Sequence, residues 1–116
     1  MTREEILNMS AGREVDALIA EKLMEVSSVR LFREVWTGCI DGQRNVIDHY
    51  STRISDAFSI FGQQPNYRMV NVGYSDYSWY CEIQSHDLGK PLIKASADTA
   101  PLAICRAALL AVMSEE

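Results

Sequence analysis

The chain has 116 residues, 47% hydrophobic and 23% charged, the make-up of one ordinary globular domain spanning 1–116. A net charge of −5 disfavours sequence-independent binding to the phosphate backbone of long nucleic acids. No apolar run approaches the roughly 18–20 residues that a bilayer crossing needs, so no membrane role is expected.

Three cysteines, Cys39, Cys81 and Cys105, are an odd number without a C-x-x-C pair. They read as reduced thiols in core positions of a cytoplasmic protein. The opening "MTREEILNMS" is charged and lacks the apolar stretch of a signal peptide.

In chain order, Thr2 and Glu5 make a capping-box pattern, so a short helix starts at the second residue. Ser10 is a second possible N-cap for a longer helix from about Ala11 to Val26. Val15, Leu18, Ile19, Leu23 and Val26 fall on its apolar face, with Asp16, Glu21 and Lys22 pointing elsewhere. From Ser27 to Asp48 the pattern is mixed. Asp41-Gly42 is a hairpin-type dipeptide, and the segment reads either as an irregular hairpin or as a long loop. Ser51 or Thr52 can cap a helix over Arg53–Phe61, closed by Gly62, with Ile54, Ala57, Phe58 and Phe61 as its buried stripe.

The period then changes from 3.6 to 2. "YRMVNVGYSDYSWYCEIQS" reads as two strands joined at Ser75-Asp76, with Trp79, Cys81 and Ile83 alternating against Tyr80, Glu82 and Gln84. "DLG" from Asp87 is a turn and "KPLIKAS" a third strand, whose Pro91 belongs at an edge or a strand start. Asp98 or Thr99 caps a last helix, with Pro101 in its first turn, running to about Ser114. Helices, then an antiparallel meander of three or more strands, then a helix make an α+β fold with N-terminal and C-terminal helices packed on the sheet.

Arg106 stands alone in "APLAICRAALLAV". Its helical neighbours, Leu102, Ala103, Leu109 and Leu110, are all apolar, so no intrahelical ion pair is open to it. Three readings remain. The stem covers apolar surface while the head reaches water; the guanidinium pairs with a distant acid such as Asp48 or Asp56; or it grips an anion. The tract "HYSTRIS" offers Ser51, Thr52 and Arg53 around a helix start, suited to an anion or to plain capping. Tyr74, Tyr77, Trp79 and Tyr80 could stack on a base or simply pack.

For catalysis the sequence offers no G-x-S-x-G, H-E-x-x-H or Walker loop, and His49 and His86 have no metal-ligand spacing. The chain is therefore not expected to be an enzyme, and no cofactor is implied.

Three segments, "AGREVDALIAEKLM", "HYSTRISDAF" and "APLAICRAALLAV", together resemble the phage "ABA sandwich" domain family. That family is in turn similar to the Thoeris anti-defence sponges, with which phages counter TIR-based bacterial immunity. The resemblance implies a viral protein of the bacterial host cytoplasm that binds and sequesters a cyclic ADP-ribose isomer, or a related cyclic oligonucleotide, without cleaving it. It implies a homodimer, in some members a hexamer, with the pocket at the subunit boundary.

Carried onto this sequence, Arg106 meets the phosphates and Trp79 stacks on a base, while Ala11 and Val15 close the pocket from the partner. Arg53 adds a second phosphate contact, with Arg13 and Asp98 as further additions. Two positions depart from the family pattern. Arg53 stands where the second motif usually has an acid, and Glu25-Val26 replaces the usual Gly-Trp.

The competing readings are a small protein-interaction module with no nucleotide ligand, an RNA-binding module and a nucleotide hydrolase. The RNA reading needs a basic patch at the start of the last helix, and "ASADTAPLA" contains neither lysine nor arginine. For the hydrolase no general base can be named.

Overall fold

In the computed structural model the described residues are 2–62, 66–86 and 89–114. The capping box forms as the sequence predicts. The Thr2 hydroxyl accepts from the Glu5 N–H at 3.2 Å, and the Glu5 carboxylate accepts from the Thr2 N–H at 3.3 Å, opening helix α1, Arg3–Leu7. Helix α2, Arg13–Leu23, follows Gly12, which makes no side-chain cap bond, rather than Ser10. Val15, Ile19 and Leu23 are buried on its expected stripe. Asp16, expected to point outward, is fully buried.

The segment 27–48 is neither an irregular hairpin nor a loop. It forms a three-stranded antiparallel sheet of β1, Ser27–Phe32, β2, Val35–Ile40, and β3, Gln43–Val46, in the order β1-β2-β3. Asp41-Gly42 is the second turn of this sheet, both residues at positive φ (51° and 80°), as a two-residue hairpin loop of this kind demands. The first turn uses Arg33 and Glu34, also at positive φ (49° and 67°). Neither is a residue type that favours that region, which is why this turn is silent in the sequence.

Helix α3, Ile54–Gly62, starts one residue later than expected and takes in Gly62; Ala57 and Ile60 are its buried residues. A second antiparallel sheet follows, of β4, Tyr67–Ser75, β5, Ser78–Ser85, and β6, Ile93–Ala97, in the order β4-β5-β6. Its hairpin turns at Asp76-Tyr77, one residue beyond the expected junction. Pro91 precedes β6, an edge strand. The expected turn at Asp87 falls on Asp87 and Leu88, which lie outside the described residues.

The last helix, α4, runs from Ala100 to Ser114, with the Thr99 hydroxyl accepting from the Leu102 N–H. It is buried on nearly every side. It lies against β4, β5 and β6 on one side and touches α1, α2 and α3 on the other. Its small residues Ala103, Ala107, Ala108 and Ala111 let those layers approach closely, and Ile104, Leu109 and Leu110 fill the core between them. The result is an α+β fold of two antiparallel sheets and four helices, in which the second sheet and the helices share one core.

The first sheet leans on α2, with Val29 and Trp36 packed against the core and the closest approach at Gly38. A Cβ on Gly38 would lie 2.3 Å from Val26 Cγ1 and 3.1 Å from Ile47 Cδ1. Only glycine allows β2 to come this close to the segments that enter and leave the sheet. Among the described residues no helix is long and apolar enough to cross a membrane.

Candidate functional site

A cleft of about 1020 Å³ opens between the first sheet and the start of α2. One wall is the α1–α2 linker and the first turns of α2, with Met9, Ala11, Val15 and Leu18. The other is Leu31, Val35, Trp36 and Val46 of the first sheet, and Arg13, Glu14, Glu34 and His49 supply polar groups. Leu31, Val35 and Val46 remain 56%, 44% and 58% exposed, so the sheet wall is apolar and open.

A buried polar knot fixes the α2 wall. The Asp16 carboxylate accepts from the Ser51 N–H at 2.8 Å and the Ser51 hydroxyl at 2.7 Å through one oxygen, and from Arg13 at 2.8 Å through the other. The Gly12 N–H donates to the Ser51 hydroxyl oxygen at 2.9 Å. Arg13 also donates to the carbonyls of Ile47 and Asp48 and to His49 Nδ1 at 3.1 Å. A guanidinium can only donate, so His49 presents its unprotonated Nδ1 here. A buried carboxylate is tolerable because it is paired and fully hydrogen-bonded.

Ser51 therefore serves this knot rather than capping α3 or receiving an anion. Thr52 and Arg53 are exposed beside it, and Arg53 lies outside the cleft lining.

Arg106 makes contacts that the sequence did not suggest. Its Nε and one terminal nitrogen donate to the Met9 carbonyl, and the other terminal nitrogen donates to the Ser96 carbonyl at 2.8 Å. It does not pair with Asp48 or Asp56. Instead it ties the α1–α2 linker to the end of β6 across α4. Partial burial lowers its pKa, and the Asp98 charge acts against that shift.

Trp79 lies opposite Ala97 in the β5–β6 register, next to the strand residue that Arg106 holds, and packs edge-on against Tyr74 with ring centroids 5.5 Å apart. The sequence-derived residues thus divide into two groups. Ala11, Arg13 and Val15 line the cleft, while Arg106, Trp79 and Asp98 gather near the end of β6. Met9 joins the groups, lining the cleft while its carbonyl receives Arg106.

Three participants escaped the sequence reading: Trp36, Asp16 and His49. The Arg13/Asp16 spacing of three residues was a legible signal for a helical ion pair, but its burial was not. Trp36 lay in the segment whose structure the pattern left open.

The cysteines offer no reactive nucleophile in the core. Burial, then the Glu82 charge, pushes the Cys81 thiol up to about 12. Burial, then Asp16, raises Cys105 as well, and Tyr50 is raised by burial and by Asp48. Such thiols stay protonated at neutral pH. Among the described residues no three His, Cys, Asp or Glu side chains gather as a metal site would require.

Compared with known proteins, residues 17–109 match the sequence model of the phage ABA sandwich domain. Among solved structures the chain is similar to one described as the 2.0 Å crystal structure of a phage protein from Bacillus cereus ATCC 14579. The two share 22% identity with a TM-score of 0.63, covering 88% of this chain and 92% of that one, a likeness of fold. No curated protein matches.

Proposed function

Since the chain belongs to the phage ABA sandwich domain family, and so stands among phage proteins, we propose that it is an anti-defence sponge. On this reading it binds a cyclic ADP-ribose-type immune signal, or a related cyclic nucleotide, and holds it intact. The observation that carries the reading is the cleft beside α2. Ala11, Arg13 and Val15, which the family resemblance assigns to the ligand, line one preformed space of a volume suited to a small ligand. The knot around Asp16 holds that wall rigid, which lowers the ordering cost of binding.

The second group completes the pocket from another copy. In a homodimer, or a higher assembly of dimers, Arg106, Trp79 and Asp98 of one subunit face the cleft of its partner. Arg106 uses three donors on carbonyls and has two N–H groups left for a phosphate. Arg53, exposed beside the knot, adds positive charge near the site. Nothing in this scheme reacts, so no general base is required.

The test is retention. The protein is incubated with cyclic ADP-ribose isomers, filtered through a small-pore membrane and then heated. The expected result is ligand held above the filter and released unchanged. Free ligand in the filtrate for every isomer overturns the reading, and a cleaved product makes the protein a hydrolase. Arg106→Ala is expected to lower retention, with its melting temperature measured alongside because the side chain also holds Met9 and Ser96. Light scattering that finds only monomers removes the shared pocket.

One observation favours a second reading. Leu31, Phe32, Val35, Ile40 and Val46 are exposed apolar residues within a single small sheet, which suits a protein-interaction module. That module would bind no nucleotide in the filter assay.

A further inference from the structure

The chain has two tryptophans, and they differ in what their rings do. Trp79 is occupied by its edge-on contact with Tyr74. Trp36 is half-buried on the cleft wall, and among the described residues no other aromatic ring packs against it and its indole N–H has no hydrogen-bond partner. It pairs with Leu31 in the β1–β2 register, so the two side chains stand together on one face. Gly38 lies two residues along and is on the same face by strand alternation. That face is the one pressed onto Val26 and Ile47, so Trp36 is turned toward the body of the protein. Val15 and Leu18 of α2 line the same space.

The groups around this ring define the ligand chemistry. Val15 and Leu18 of α2 and Leu31 and Trp36 of the sheet bring apolar surface from two elements into the cleft, whose volume of about 1020 Å³ has room for a flat ring. Glu14 and Glu34, both exposed and both lining the cleft, are acceptors that an exocyclic amine can satisfy. The same carboxylates repel a phosphate, and Arg13, which also lines the cleft, is engaged by Asp16 and by the carbonyls of Ile47 and Asp48, so the ring goes in and any anionic group stays out.

We propose that Trp36 is the stacking residue of the cleft and that its ligand is a planar amino-substituted heterocycle of the adenine type. The proposal rests on the sponge reading only for the suggestion that such a ring arrives as part of a cyclic nucleotide. It moves the base-stacking role from Trp79 to Trp36, from the second sheet to the first.

With only two indole N–H signals, a ¹H–¹⁵N spectrum reports each tryptophan separately, and adenosine is the uncharged probe. Adenosine, and then cyclic ADP-ribose, is expected to shift the Trp36 signal and leave that of Trp79 largely in place. Trp36→Leu is expected to weaken binding about tenfold or more, as loss of a base–aromatic stack does, while Trp36→Phe retains most of it. Thermal melting of both variants checks that they fold. A Trp36 signal that stays put at millimolar adenosine, or a folded Trp36→Leu that binds like wild type, overturns the proposal. The two readings fail separately. Cyclic ADP-ribose retained with Trp36 unaffected sinks the Trp36 assignment alone, and adenosine shifting Trp36 while no cyclic ADP-ribose is retained sinks the sponge alone.

Discussion

The first sheet, β1–β3, and the second, β4–β6, are both antiparallel meanders of three strands, each with a two-residue turn of non-glycine residues at positive φ. Their surroundings are opposite. The inner row of the second sheet, Tyr67, Cys81, Ile83, Ala95 and Ala97, is buried against α4. In the first sheet only Thr37 and Gly38 are buried, and Leu31, Phe32, Val35, Ile40 and Val46 remain exposed. One sheet is half of the core; the other is an arm that rests on α2 and on the foot at Gly38. The difference teaches that equal topology does not mean equal work. The second sheet stabilises the domain, and the first presents surface.

That contrast can be broken experimentally. The largest expected effect lies where the arm rejoins the body. Asp16→Ala removes the acceptor of Ser51 and Arg13 inside the protein and is expected to cost about 3–5 kcal/mol, the range for breaking a buried ion pair. Urea unfolding measures it, and a loss below about 1 kcal/mol would mean that the knot behaves like a surface pair. Next, Ile83→Ala in the second sheet should cost about 2–5 kcal/mol, whereas Leu31→Ala in the first should stay within about 0.5 kcal/mol. Equal losses in the two would erase the distinction between core sheet and arm.

Gly38→Ala tests the foot alone. Its new methyl has nowhere to go without displacing Val26, so about 1–3 kcal/mol is expected. Hydrogen exchange should increase in β1–β3 and stay unchanged in β4–β6.

The smallest effect is alkaline. The buried Cys81 thiol titrates higher when folded than its ordinary value of 9.0, so its contribution is whole below pH 9 and is lost as pH rises toward about 12. Stability should therefore fall by about 1 kcal/mol by pH 10 from this group, and Cys81→Ala should flatten that part of the curve. Cys39, partly exposed in the first sheet, should react with a thiol reagent in the native protein while Cys81 and Cys105 do not.

How far the sequence could be read follows from the same contrast. A strand with one buried face must alternate, and "SWYCEIQS" does, so the two rows of β5 were legible, with Cys81 and Ile83 of one row buried and Trp79 at its end partly exposed. A sheet with little burial on either face is under no such demand, and 27–48 showed no clean period. Arg33-Glu34 hid the turn that Asp41-Gly42 advertised. Of the cleft's lining, the family resemblance pointed to Ala11, Arg13 and Val15, at and just before the start of α2, whereas the opposite wall and Trp36 lie on the arm, where the pattern was silent.

By itself the sequence determined the α+β class, the capping box at Thr2, the apolar stripe of α2, the alternation of β5 and the long apolar α4. Each follows from local propensity and period, which depend on neighbours a few residues apart. It did not determine the stripe of α3, where Ile54 and Phe58 are exposed and Ile60 is buried beside Ala57. Only the tertiary structure decided what the polar exceptions do. Asp16 is buried because Ser51 and Arg13 converge on it from 35 and three residues away. Arg106 is accommodated in an apolar helix because the Met9 and Ser96 carbonyls, 97 and 10 residues away, turn toward it. A charge inside a protein is stabilised by whatever the fold places around it, and no pattern along the chain records that.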